Sequence, residues 1–393
     1  MHFYRHSGAP SVRPLPGPLR ILIAIASPLT GGGQLLDYER ELRAVIEAVG
    51  QARTYDAQVK EVRFATIGAI AAGLRDHLPH VLHVHAHGSP GLLHLEDDAG
   101  DAVAVTSSVF LQACAAEAPL PPIISLASCQ GDVFSEPFGS SFASALSSGG
   151  VPAVVATQGT LSDRFSTHFF AQVYAELAKA SHPDLVAAIA VARRSVQETL
   201  QAATNPVDRV VAGLDEWSVV SLLCGEPVVA PLSEGASTTA PGSRVYGTDQ
   251  TNDRFVGRRW ELRKIPGLLA GDGSDEADIA PAANGILLYG LGGLGKSALA
   301  AALVDRATEL RAGLRTVILS GCVDSGSVIT AVAGAGQTES ANRAPTLLIL
   351  DDFDENLRSD PLDTLPDGTS VPLLWRIADP SLDDLLVQPR KSS

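Results

Sequence analysis

Short apolar runs alternate with segments of helical period over the first 230 positions of the chain. Ile21 to Ile25 is the first such run, and a helix is expected to start near Asp37, with Leu42, Val45, Ile46 and Val49 on one face. A strand at Val59 to Phe64, a helix from Thr66 to Leu78, and apolar strands at Val81 to His85, Ile123 to Leu126 and Ala153 to Ala156 continue the pattern. Two amphipathic helices follow, one set by Phe165, Phe169, Val173 and Leu177, the other by Leu185, Ile189, Ala192, Val196 and Leu200. Trp217 to Leu223 reads as a closing strand. Runs that are apolar throughout, separated by amphipathic helices, suit an α/β fold whose sheet is covered on both faces.

The pattern fails in two places. Residues 1–19, rich in Pro and Arg and without periodicity, read as a flexible arm. Beyond about Gly225 the chain turns to Pro, Ser, Thr, Gly and Ala, which places a linker at 230–251 between a domain at 20–229 and a second at 252–393. The second domain shows αβ patterning again, with strands at Gly285 to Tyr289 and Thr346 to Leu350. A length of 393 residues accommodates two such cores.

Composition narrows the classes. The net charge of −15 is spread over both halves, so neither carries the basic footprint of a nucleic-acid binder. No apolar stretch approaches the roughly 18 to 20 residues of a membrane span, and Met1 to Arg20 has no signal-peptide core. Cys114, Cys129, Cys224 and Cys322 form no Cys-x-x-Cys pair, which argues against a disulfide framework or zinc cluster and fits a reducing cytoplasm.

Candidate chemistry lies at two strand ends. Val81 to Gly88 reads VLHVHAHG and Ile123 to Asp132 reads IISLASCQGD, so His87 and Cys129 both fall where parallel strands give out at their carboxyl edge. An imidazole on a neighbouring strand is a base able to generate a thiolate. Gly88 permits close approach of its N–H to a substrate carbonyl, and with the N–H of Cys129 forms a candidate oxyanion hole. Packing alone also accounts for a cysteine at a strand end. His83, His85 and His87 alternate and share a sheet face, which suits a metal, but no nearby carboxylate or cysteine is expected to complete a ligand set; His83 and His85 read as hydrogen-bonded wall residues. Asp132 and Asp163 flank the site and are candidates for a specificity pocket that receives a basic side chain, although Asp163 also suits a helix start.

Residues 20–230 resemble the CHAT peptidases, relatives of caspases, separases and gingipains. The matching pieces are ILIAIASPL, the Asp37-Tyr-Glu-Arg-Glu-Leu helix start, VLHVHAHGSPGLLHLEDDAG, LASCQGD, FASALSSGGVPAVVATQGTLSD and DLVAAIAVARRSV. The resemblance implies a caspase-like α/β/α sandwich with His87 as base and Cys129 as nucleophile, a protein or peptide substrate, and no cofactor for the cleavage. Ser128 before the cysteine and Gln130-Gly131 after it depart from the family's common run, which bears on substrate preference.

In the second domain, Gly290-Leu-Gly292-Gly293-Leu-Gly295-Lys296-Ser297 follows an apolar strand and opens a helix, satisfying G-x-x-x-x-G-K-[ST] in its required context. Its glycines let backbone N–H groups wrap phosphates, Lys296 meets their charge, and Ser297 is a ligand for Mg²⁺. Thr346 to Asp352 reads TLLILDD, with Asp351 expected at the Mg²⁺ and Asp352 at a hydrolytic water. With Phe255-Val-Gly-Arg258 and Glu261-Leu upstream, the region resembles the front of a STAND-type P-loop NTPase. That implies ATP or ADP with Mg²⁺, a bacterial signalling role and homo-oligomers formed through this module. Only the front part is expected in this chain, with binding in place and hydrolysis slow or absent. The resulting expectation is a cysteine endopeptidase acting as effector of a nucleotide-dependent switch, without nucleic-acid or membrane partners. The alternative is a catalytically degenerate caspase-fold interaction module with nucleotide-controlled assembly.

Overall fold

The computed structural model describes residues 5–28, 38–52, 57–233, 257–270, 286, 288, 294–310, 314–320, 328, 330–331, 346–351, 362–364 and 370–372. The chain divides into two compact units, Met1–Val256 and Gly257–Ser393. Among the described residues no helix is long and apolar enough to cross a membrane.

The first unit is built on a seven-stranded sheet. Its strands are β1 (Arg5–His6), β2 (Leu19–Ile25), β3 (Ala57–Val62), β4 (Val81–His85), β8 (Ile123–Ala127), β9 (Ala153–Thr157) and β10 (Val220–Cys224), in the order β1-β10-β9-β8-β4-β2-β3. From β3 to β9 all neighbours are parallel, whereas β10 is antiparallel to β9 and β1 parallel to β10. Side-chain alternation sorts the core into two halves. Ile21, Ile23 and Ile25 pack on one face with α1 (Tyr38–Ala52), α5 (Asp163–Lys179) and α6 (Leu185–Ala202). Leu22, Ala24, Leu82, Val84 and Leu126 pack on the other with α2 (Ile67–His77), α3 (Ser107–Glu117) and α4 (Phe142–Ser148). α7 (Pro206–Ala212) lies against α6. The result is the three-layer α/β/α arrangement expected.

The helix starts are chemically marked: Thr66, Thr106, Ser141, Ser162, Asp184 and Asn205 each accept a backbone N–H of the helix they precede. A separate antiparallel sheet of β5 (His87–Ser89), β6 (Leu92–Glu96) and β7 (Ala102–Thr106) follows β4. It is tied to the main sheet by Glu96, whose buried carboxylate accepts the Ser27 N–H at 2.6 Å.

Two expectations change. Residues 5–18, read as a loose arm, are docked: β1 extends the sheet, Ser7 N–H donates to the Cys224 carbonyl, and Leu15 bridges Leu232. Backbone pairing needs no hydrophobic period, which is why the sequence pattern is silent there. The same pairing keeps the first unit ordered beyond position 229, since Leu232 is buried and the Ser233 N–H donates to the Leu15 carbonyl. The rest of the expected linker, 234–251, lies outside the described residues.

In the second unit α8 (Arg259–Ala270) precedes α9 (Lys296–Leu310), and β11 (Arg315–Ser320) pairs in parallel with β12 (Thr346–Asp351). A short antiparallel pair, β13 (Leu362–Thr364) and β14 (Ser370–Pro372), follows. The strand expected at Gly285 to Tyr289 lies outside the described residues apart from Ile286 and Leu288.

Candidate active site

Strands β4 and β8 are neighbours in register, His85 opposite Ala127, and both are wholly buried. The next residues carry the candidate dyad out of the core: His87 opens β5 and Cys129 opens the turn after β8, each half-buried. The two segments touch. A Cβ placed on Gly88 would lie 2.4 Å from the Cys129 carbonyl oxygen and 3.2 Å from Ser128 Cβ, so only glycine fits where β5 meets the nucleophile turn.

The turn is fixed at successive positions. Thr157 Oγ1 donates to the Ser128 carbonyl at 2.8 Å, and Gln130, with φ of 61°, donates its N–H to the Gly159 carbonyl. A left-handed Gln costs on the order of 1 kcal/mol, a strain that persists only when surrounding bonds enforce it. The carbonyl of Gly131 accepts the Ala143 N–H of α4, and the Asp132 N–H donates to Thr157 O at 2.8 Å.

Cys129 differs from the other described cysteines. Cys114 is fully buried and its thiol is pushed up to about 12 by that burial; Cys224 is buried too and its thiol is also raised, chiefly by burial. Cys322 lies outside the described residues. Cys129 alone of the three is partly exposed, in the turn that Gly88 of β5 lies against.

The pocket expected at Asp132 is not formed by that residue. Its side chain is fully enclosed, and its oxygens accept from Arg5 Nη2, Ser141 Oγ and Ser221 Oγ, each at 2.8 Å, and from Gln158 Nε2 at 3.4 Å. A carboxylate so surrounded has no face left for an incoming side chain. Asp163 is exposed in the first turn of α5, beside the capping Ser162, a position where a carboxylate suits the helix dipole.

His83 and His85 point to the opposite face from Asp132 and meet a carboxylate that sequence spacing did not reveal. Glu41 of α1 sits 2.8 Å from His83 Nε2 and 3.1 Å from His85 Nδ1, and accepts Ser166 Oγ; His83 Nδ1 is 2.8 Å from Tyr174 Oη. Burial alone raises the Glu41 carboxyl, but the charges and hydrogen bonds of His85 and His83 outweigh it and hold it well below the usual carboxylate range. Glu41, His83 and His85 are a donor set of metal-binding type. Ile23, Ile25, Leu42 and Val45 close around them without room for a water molecule, and Glu41 already bonds both rings. His83 is a hydrogen-bonded wall residue, and His85 is a wall residue in ion-pair range of the same carboxylate. His94, also missed, stands directly opposite His87 across β5 and β6; burial first, and then the nearby His87, lowers its basicity.

In the second unit Gly295 has φ of 80° and its carbonyl accepts the Leu299 N–H, so Lys296 and Ser297 lie in the first turn of α9. Ser297 Oγ donates to Asp351 Oδ1 at 2.9 Å, which joins hydroxyl and carboxylate in the oxygen-rich pair that Mg²⁺ favours. Arg258 Nη2 donates to the Leu294 carbonyl at 3.3 Å, tying the upstream motif to the loop. Gly290, Gly292, Gly293 and Asp352 lie outside the described residues.

Among solved structures, the chain is similar to the complex of Porphyromonas gingivalis RgpB pro- and mature domains, at 13% identity over 54% of this chain and 48% of that one, with a TM-score of 0.38. It is also similar to caspase-1 from Spodoptera frugiperda, at 12% identity over 60% of this chain and 98% of that one, with a TM-score of 0.36. The match thus spans about half the length of the RgpB chain. No curated protein matches significantly. The family model of the CHAT domain matches residues 8–220, more than half of the 393 positions, and the chain belongs to the CHAT domain family.

Proposed function

We propose that the first unit is a cysteine endopeptidase with Cys129 as nucleophile and His87 as base, and that it is the effector of a nucleotide-dependent bacterial signalling switch. The observation that carries the peptidase reading is the contact of Gly88 with the Cys129 carbonyl, which holds the strand that begins with His87 against the turn that presents the thiol. CHAT family membership over the same residues supports it.

In the proposed reaction, Cys129 Sγ gives its proton to His87 and attacks the carbonyl carbon of a peptide bond, while the N–H groups of Gly88 and Cys129 hold the oxyanion. The C–N bond breaks, His87 returns the proton to the leaving amine, and a thioester remains on Cys129. Water, deprotonated by His87, then attacks the thioester and frees the acid product and the thiol. No cofactor is required. A peptide-library assay tests this: Cys129→Ala and His87→Ala are each expected to lose at least about a thousandfold in turnover with the fold intact, and the double variant to be scarcely worse. Undiminished cleavage by Cys129→Ala overturns the reading.

The second unit is proposed to bind ATP or ADP with Mg²⁺ through Gly290 to Ser297, with Ser297 and Asp351 as metal-facing groups; the Ser297–Asp351 hydrogen bond supports this. Lys296 meets the phosphate charge, and the bound Mg²⁺ supplies further neutralisation of it. Calorimetric titration is expected to show Mg²⁺-dependent nucleotide binding that Lys296→Ala weakens at least about tenfold. Binding by the variant at wild-type affinity removes the loop from the nucleotide site.

A further inference from the structure

Asp132 lies three positions past Cys129 and has no step in the proposed mechanism, yet it binds together β1, β9, β10 and the start of α4 beside the nucleophile turn. Its backbone N–H holds the end of β9 through Thr157 O. Its carboxylate collects Ser141 at the start of α4, Ser221 of β10, Gln158 after β9 and Arg5 of β1. Ser141, Ser221 and Gln158 are neutral donors. Arg5 is the cation paired with this carboxylate among the described residues, and it also donates to Ser144 Oγ at 3.1 Å.

The two partners are unequally placed. The Asp132 side chain is 0% exposed and the Arg5 side chain 48% exposed. A buried carboxylate is expensive without a cation, and here the cation arrives from solvent on a strand of two residues at the sheet edge. That strand is held by pairing to β10, by Ser7 N–H on Cys224 O, and by Ser147 Oγ donating to Ser7 Oγ at 2.7 Å.

We propose that Asp132 is a positioning residue for Cys129 and that Arg5 is the cation that sets it, so that docking of the N-terminal strand governs the activity of the nucleophile turn. The proposal rests on the peptidase reading above. Loss of Arg5 leaves the buried charge to neutral donors, and the relaxation that follows is passed along Gly131 and Gln130 to Cys129. Asp132 does not face substrate, so the effect falls on the alignment of attack and not on binding.

The test compares wild type, Arg5→Ala and Arg5→Lys in the full chain, by steady-state kinetics on a peptide substrate and by the rate of Cys129 alkylation with iodoacetamide. Arg5→Ala is expected to lower kcat roughly 5- to 20-fold with KM within about twofold, and to shift the alkylation rate by at least about threefold. Arg5→Lys is expected to restore most of both, because the ammonium keeps the charge. Melting curves on each variant separate misalignment from unfolding. Wild-type kcat and alkylation in Arg5→Ala overturn the proposal, as does a loss that only follows the folded fraction and is not restored by Lys. If wild type cleaves no peptide, the peptidase reading fails, and the clamp stands or falls on alkylation alone: an unchanged rate in Arg5→Ala overturns it.

Discussion

Strand β4 and its continuation carry three histidines on alternate positions, and the fold treats them in two different ways. His83 and His85 are sealed between the sheet and α1 and α5, where Glu41 bonds both rings and Tyr174 and Ser166 complete the cluster. His87, two positions further on, has left the core and opens β5, whose next residue, Gly88, lies against the Cys129 carbonyl. Each region turns on a buried carboxylate. Glu41 is matched by imidazoles as buried as itself, whereas Asp132 is matched by a half-exposed guanidinium brought from the N-terminal strand. The interior cluster is therefore a fixture of the fold, and the edge is the region whose charge balance solvent and strand docking are able to alter.

The interior half of this contrast is broken by Glu41→Gln. Removing the carboxylate charge from this buried cluster is expected to cost about 3 to 5 kcal/mol of stability. The sign with pH follows from the depressed Glu41 carboxyl. A group whose pKa is lowered by folding stabilises above its unfolded value, near 4.3 for Glu, and that contribution is lost as pH falls toward the lower folded value. Urea unfolding is expected to show a large gap between wild type and Glu41→Gln at pH 7 that narrows below about pH 4. Equal stability at pH 7 means that the cluster is not structural and makes His83 and His85 available for other duties.

How much of this was legible from the residues depends on the range of the interactions. The strand runs at Ile21, Val81, Ile123 and Ala153 and the helices α5 and α6 are local patterns, and the structure has them close to where the pattern predicts. The ends of β4 and β8 follow from them, which is why the sequence points to His87 and Cys129 together. Glu41 was not legible as a partner of His83: 42 positions separate them, and α1 alone shows only a charged residue at helical spacing. Arg5 and Asp132 are 127 positions apart, and a two-residue strand leaves no periodic signature. The antiparallel β5–β6–β7 sheet was not predicted as an element, because its strands are at most five residues long and the first two are joined by a tight turn at Pro90-Gly91. A Gly opposite the nucleophile was legible by type, but its reason was not: the tightness is a contact between segments 41 positions apart.

That contact gives the edge half of the comparison its own test. Gly88 has an ordinary φ, so an alanine there meets no backbone penalty, and the obstacle is the Cys129 carbonyl oxygen, 2.4 Å from the new Cβ. Backbone on both sides cannot step aside as a side chain does, so either β5 or the nucleophile turn must move, and with it the relation of His87 to Cys129. Gly131→Ala is the matched control: its new Cβ comes no nearer than 3.2 Å to the Ser128 hydroxyl, which a side-chain rotation relieves. A displacement of about 1 Å at the reacting atoms is worth roughly a hundredfold in rate, or about 2.7 kcal/mol in the barrier. Gly88→Ala is expected to lose about that much kcat, and Gly131→Ala much less than tenfold, with both proteins folded by circular dichroism. If the two alanines cost the same, the close approach of β5 to the nucleophile turn is not what aligns the site, and the edge is no more exacting than its surroundings.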